Sequence, residues 1–131
     1  MTKLYGVLYT STLSAAAGIS AVPAILAVAR ARNQRDGVTG VLVFDGQNFC
    51  QYIEGERASV QACMERILRD TRHSDIRLSH DAEAEQRRFK RFRAGYASLE
   101  GEDVFGSIRP LSGPAALAQF LALVPTLDLD T

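Results

Sequence analysis

Gln51 is the residue whose type and position most need a reason. It lies in the run 48–54, NFCQYIE, where strand alternation puts Phe49, Gln51 and Ile53 on one face and Cys50, Tyr52 and Glu54 on the other. Phe49 and Ile53 belong inside, so an amide is carried in with them. A buried amide must be hydrogen-bonded or it costs a few kcal/mol. Tyr9, near the end of the apolar run 4–11 (LYGVLYTS), is a natural partner if the two runs are neighbouring strands. Each residue also has a plainer reading. Gln51 can be a core amide satisfied by backbone or hydroxyl, and Tyr9 a core ring with its hydroxyl capped.

Asn33 brings a second amide, at the end of the first helical stretch, where it reads equally well as a helix C-cap. Ile25 and Ile67 lie on the apolar faces of the two helical stretches and, taken singly, are ordinary core. Together these residues converge. Two amides and a phenol sit above a floor of sheet, between apolar helical walls. Such a slot suits a flat aromatic ligand with a polar edge.

Other chemistries lack their residues. There is no GxGxxG, no GxxxxGK[ST] and no GxSxG. His73 and His80 are seven apart, with no carboxylate pair spaced to complete a metal site. Cys50 and Cys63 form no CxxC and read as small core residues, so neither a disulfide framework nor structural zinc is expected. Fifteen Lys+Arg balance fifteen Asp+Glu, which argues against nucleic acid as the main partner. No apolar run approaches the roughly 18–20 residues of a membrane span, and the N-terminus has no signal-peptide core. A mature cytoplasmic protein beginning at Met1 is the expectation.

The elements that must position these residues are readable from 131 residues that are 47% hydrophobic and 23% charged, the composition of one globular domain. Residues 4–11 read as a strand and 12–18 as a loop. Ser20 looks like an N-cap, with Pro23 in the first helical turn. Val22, Ile25, Leu26 and Ala29 then mark an apolar face reaching about Asn33, and Gly37 offers a left-handed stop. Residues 38–44, VTGVLVF, read as a strand buried on both faces. Asp45-Gly46 is a hairpin signal, and 48–54 returns as a strand that Glu54-Gly55-Glu56 should break. Val60, Cys63, Met64 and Ile67 fit a second amphipathic helix over 57–71. Weaker strands follow at 75–82 and 90–98. Beyond them come a short apolar helix at 115–124 and an acidic, frayed end.

The order βαββαββ predicts an α+β, ferredoxin-like fold. Its mixed five-stranded sheet would carry two helices on one face, with a short C-terminal helical tail. Residues 1–98 would form the ligand-binding domain and 99–131 a helical extension, covering the sheet or meeting a second chain. That fold hosts many functions and decides none of them.

The sequence resembles the BLUF family, the blue-light sensors that use FAD. The matching stretches are LYTS at Leu8, ARARNQRDGVTG from Ala29, FCQYIEG from Phe49, RDTRHS from Arg69, and Arg88-Phe89. They span about residues 3–98. Their combination is specific: a strand tyrosine, N-x-x-x-G-hydrophobic-T-G, F-x-Q-x-hydrophobic-E-G and D-x-R-H, in that order.

The resemblance implies non-covalent FAD and a photochemical pair, Tyr9 and Gln51. Tyr9 would give an electron and proton to the excited flavin, and the Gln51 amide would bridge Tyr9 and the ring. It implies that Asn33 holds the pyrimidine edge, that Arg32 contacts the flavin, and that Ile25 and Ile67 sandwich the ring. Phe49 opens the glutamine motif and belongs to the same binding set. Asp70, Arg72 and His73 would line the ribityl end, and Ser11 would place a hydroxyl near Tyr9. LOV-type flavin photoreceptors use a reactive cysteine in N-C-R-F, which this chain lacks. The family's signal-output positions on the last strand, usually Trp and Met, are Phe92 and Ala94 here.

The implied activity is therefore that of a photoreceptor, not an enzyme. It would signal to a downstream protein partner through a rearranged hydrogen bond, most naturally as a homodimer. Two other classes compete. One is a flavin-binding module without light output, which Phe92 and Ala94 motivate. The other is a small hydrolase on the same fold, which would want a phosphate cradle with an arginine after the first strand, and residues 12–20 supply none.

Overall fold

The computed structural model describes residues 3–97 and 104–129. The expected boundary at 98/99, the last residue of the 90–98 strand and the final residues 130–131 lie outside them. Six strands form one mixed sheet: β1 (Leu4–Leu13), β2 (Thr39–Phe44), β3 (Asn48–Glu56), β4 (His73–Ala84), β5 (Phe92–Tyr96) and β6 (Asp128–Leu129). Their spatial order is β4-β1-β3-β2-β5-β6. β3 runs antiparallel to both β1 and β2, so β1 and β2 point the same way with β3 between them. β4 closes against β1 antiparallel, and β5 joins β2 in parallel.

Helix α1 (Val22–Arg35) connects β1 to β2, and α2 (Arg57–Arg69) connects β3 to β4. Both lie on one face of the sheet. There Val22, Leu26, Val60, Cys63 and Met64 bury against Val7, Tyr9, Leu42, Phe49, Ile53, Phe92 and Ala94. Pro23 occupies the first turn of α1, where a missing N–H loses nothing. Gly37 takes φ +70° just past its end, a conformation that costs glycine little. Ser20 is not the N-cap. A single 3-10 turn, Ile19–Ala21, feeds α1 directly, and no side chain caps it.

The sheet differs from the expected five strands and one covered face. Its second face carries Leu8, Val41, Val43, Cys50 and Tyr52, all fully buried. Five apolar side chains cannot be left in water cheaply, and α3 (Gly113–Leu123) covers them with Ala116, Leu117 and Phe120, helped by Phe105 and Ile108. Of the two roles open to this helix, covering the sheet is the one seen. The sixth strand pairs Leu129 with Gly95 and Asp128 with Tyr96, so the chain end is not frayed there. Gly95 permits this approach, since a Cβ on it would stand 2.1 Å from the Asp128 carbonyl oxygen. Among the described residues no helix is long and apolar enough to cross a membrane.

β3 also runs through the expected break, to Glu56. There it stays paired with β1, Leu4 opposite Glu56 and Tyr5 opposite Gly55. Glu54 is wholly buried. Its Oε2 accepts the backbone N–H groups of Arg88 and Phe89, each at 2.7 Å, and the Thr39 hydroxyl at 3.3 Å. Its Oε1 accepts the Tyr52 hydroxyl at 3.2 Å. The carboxylate thus ties the segment before β5 to β3. Glu54→Gln keeps the shape but removes the charge that two backbone N–H groups and two hydroxyls share, and replaces one acceptor oxygen with a donor. It should lower the unfolding free energy by about 1.5–3 kcal/mol, the usual contribution of hydrogen bonds to a charged group. Chemical denaturation of the two proteins side by side checks this, and equal midpoints would refute it.

Candidate functional site

The register decides the site. Tyr9 of β1 lies directly opposite Gln51 of β3, and both side chains project toward α1 and α2. The Tyr9 hydroxyl donates to Gln51 Oε1 at 2.6 Å, with Gln51 only 2% exposed. Burial, and secondarily the nearby Cys63, Cys50 and Asp70, pushes the Tyr9 phenol well above its ordinary pKa. The phenol therefore keeps its proton at any working pH. An amide that accepts through Oε1 carries its N–H donors on the other edge.

This pair lies in the floor of a cleft of about 120 Å³ between the two helices. Ile25 and Ile67, both partly buried, form its apolar walls, and Phe49 and Leu42 extend the floor. Asn33, Arg32, Asp70, Arg72 and His73 line it as well. Asn33 does not act as a C-cap. It sits within α1, whose C-cap is Asp36. Its side chain is 2% exposed, its Oδ1 accepts the Cys63 thiol at 3.5 Å, and its Nδ2 has no partner among the described residues. A buried donor without a partner costs about 1–3 kcal/mol, so it points to a ligand atom.

His73 is held at both nitrogens. Nε2 lies 2.7 Å from the Ile67 carbonyl and Nδ1 2.8 Å from the Ser11 hydroxyl. A carbonyl only accepts, so Nε2 carries a proton, and in the neutral ring Nδ1 accepts from Ser11. Ser11 thus stands behind His73 instead of lining the cleft. Arg72 grips Asp70 through Nε at 2.9 Å and Nη2 at 2.7 Å, which holds the Asp70 carboxyl below the usual range. Phe92 and Ala94 are buried on the same side of the sheet but do not line the cleft. They sit on β5, with Ala94 opposite Leu42 and Leu42 opposite Gln51.

Sequence reasoning missed Cys63, Leu42 and Arg66 as cleft residues. Cys63 is four before Ile67 on the same helix face, a signal that was present. Leu42 becomes visible only once the β2–β3 register is known. Among the described residues no cluster of His, Cys, Asp and Glu could hold a metal ion.

A sheet floor with a buried Tyr–Gln pair, under two helices that hold an amide donor unpartnered among the described residues, forms a slot suited to a flat ligand with a polar edge. Residues 4–95 match the family described as BLUF, sensors of blue-light using FAD, and the chain belongs to that family. Over 58 residues, 44% of this chain, it is 33% identical to the blue light- and temperature-regulated antirepressor BluF of Escherichia coli (strain K12), and it spans 14% of that protein's length. The structure of BlrB, a BLUF protein in its dark state, superimposes with a TM-score of 0.74 at 27% identity, covering 95% of this chain and 96% of BlrB. A bacterial light-regulated adenylyl cyclase gives 0.67 at 25% identity, covering 93% of this chain and 36% of the cyclase chain.

Asn33→Ala removes the orphan donor at a buried edge. It should weaken retention of FAD about ten- to a hundredfold, following a loss of about 1–3 kcal/mol. Quenching of flavin fluorescence on titration measures this, and unchanged affinity would leave Asn33 outside recognition.

Proposed function

We propose that this chain is a blue-light photoreceptor that holds FAD non-covalently in the cleft between α1 and α2 and signals through the Tyr9–Gln51 pair. The 2.6 Å hydrogen bond between those two buried side chains, in the floor of the cleft, is the observation that carries the reading. The residues present fit the cofactor. Ile25 and Ile67 would clamp a flat ring, Asn33 Nδ2 would satisfy a carbonyl on its edge, and Arg32 lines the cleft as a cation for a ribityl-phosphate chain, beside the Arg72–Asp70 ion pair. Bound flavin supplies the light absorption and, for a moment, a strong oxidant beside the sheet.

The rest is done by side chains. Tyr9 keeps its proton at Oη, because burial disfavours the phenolate, and yields it only when its ring also loses an electron. Gln51 then has two ways to present itself. Its amide has an acceptor on one edge and donors on the other, so rotation or tautomerisation reverses the bonds to both neighbours at once. A new Gln51 donor toward a carbonyl of the bound ring would lower the ring's excitation energy, read as a small red shift. No substrate is consumed, and the output passes to another protein. A flavin binder without output is the second reading. Phe92 and Ala94 favour it, since neither side chain can hydrogen-bond Gln51.

Gln51→Leu should keep the flavin spectrum and lose the red shift under blue light, because leucine has volume but no amide. Tyr9→Phe should do the same, since the ring stays and the transferable proton goes. Absorption spectra before and after illumination decide both, and a normal shift in either variant removes that residue from the mechanism. For output, hydrogen exchange of the wild type in darkness and in steady blue light should differ in β5 and in α3. Differences confined to α1 and α2 would favour the binder without output.

A further inference from the structure

Asn33 can present either edge of its amide to the cleft, because the oxygen and nitrogen ends are nearly equal in shape. One neighbour biases the choice. Cys63, on the facing side of α2, places Sγ 3.5 Å from Asn33 Oδ1 in a buried contact. Burial pushes the Cys63 thiol above its ordinary pKa, so it stays protonated and has an S–H to give. With the amide in this sense, Oδ1 accepts the S–H and Nδ2 is left without a partner among the described residues, on a side chain 2% exposed that lines the cleft. Turned over, the amide would set Nδ2 against the sulfur and face Oδ1 toward the ligand; a protonated thiol is both a weak donor and a weak acceptor, so its preference between the two senses is modest.

We propose that Cys63 is a positioning residue: its thiol, donated to Asn33 Oδ1, biases the amide so that the cleft offers two N–H donors and selects a ring edge that carries a carbonyl oxygen there. The proposal rests on the flavin reading above and adds to it the sense of recognition and the residue that sets it. It also gives Cys63 a reason to be a thiol. Valine would also fill the wall but could not hold the amide. Cys50, by contrast, faces the other side of the sheet among Leu8, Val41 and Val43 and has no such task.

The test uses three variants of the full chain. Cys63→Ala and Cys63→Val lack the donor; alanine leaves a small cavity and valine, slightly larger than cysteine, leaves none, so a cavity and a lost donor are told apart. Cys63→Ser restores a hydroxyl donor. FAD affinity is measured by fluorescence titration, and the carbonyl stretching frequencies of bound FAD by infrared difference against free FAD. The expected result is about two- to fivefold weaker binding in both Ala and Val, the low end of the range for one hydrogen bond because a thiol is a weak donor. It comes with an upward shift of a flavin carbonyl band in both and near wild-type behaviour of Ser on both readouts. A wall residue with no positioning role would leave the carbonyl band unmoved in all three variants, and that outcome overturns the proposal. So does a Ser variant that behaves like Ala. Wild-type protein that binds no FAD would overturn the flavin reading itself, which the variants alone cannot do.

Discussion

The site depends on one strand register. Tyr9 and Gln51 meet because β1 and β3 are antiparallel neighbours paired at those two positions. A slip of one residue would turn Gln51 to the other face, into the cluster now held by Cys50 and Tyr52. Two packed faces prevent it. Phe49 and Ile53 are buried toward α1 and α2, while Cys50 and Tyr52 are buried toward α3, so both alternations of β3 are enforced. A strand with only one buried face would hold its register less firmly. The third helix, which touches no part of the cleft, therefore helps to keep the Tyr–Gln pair in place.

The cleft itself is built from the polar groups this register leaves over. Tyr9 and Gln51 satisfy one another, and His73 is satisfied by Ser11 and the Ile67 carbonyl. Asn33 has one edge met by Cys63 and one edge unmet. A core tolerates few such groups. Within the cleft the imbalance falls on one amide between two apolar walls, which is how a protein stores part of its affinity for a ligand that completes it.

Much of this was legible in the residues. Alternation alone puts Gln51 beside Phe49 and Ile53, and the order of elements brings Tyr9 next to it. What was not legible depended on contacts distant in sequence. Glu54-Gly55-Glu56 has the composition of a turn, yet β3 continues through it because Leu4 and Tyr5 of β1 pair with Glu56 and Gly55, about 50 residues away in sequence. Ser20 has the chemistry of a cap, but a 3-10 turn leads into α1 without using it. Asp128–Leu129 is too short to show a period, and its pairing exists only because Gly95 leaves space. Asn33 looked like a cap because helix ends attract amides. Its burial against Cys63 could not be inferred from position along α1.

How a change at Gln51 can travel follows from what surrounds it. Across the sheet the row runs Gln51, Leu42, Ala94, from β3 through β2 to β5. None of the side chains beyond Gln51 in that row can donate or accept, so hydrogen-bond information cannot be handed along it by side chains. Along β3 the situation differs. Tyr52 and Glu54 lie one and three residues from Gln51 on the same backbone, facing the α3 side, and Glu54 holds the amides of Arg88 and Phe89 just before β5 begins. A small displacement of β3 therefore reaches β5 through the carboxylate and the α3 face through the Tyr52 ring. Glu54 and Tyr52 themselves are wholly buried. In this chain the backbone of β3 is a shorter mechanical path from the cleft to the far face than any exchange of side chains on the last strand.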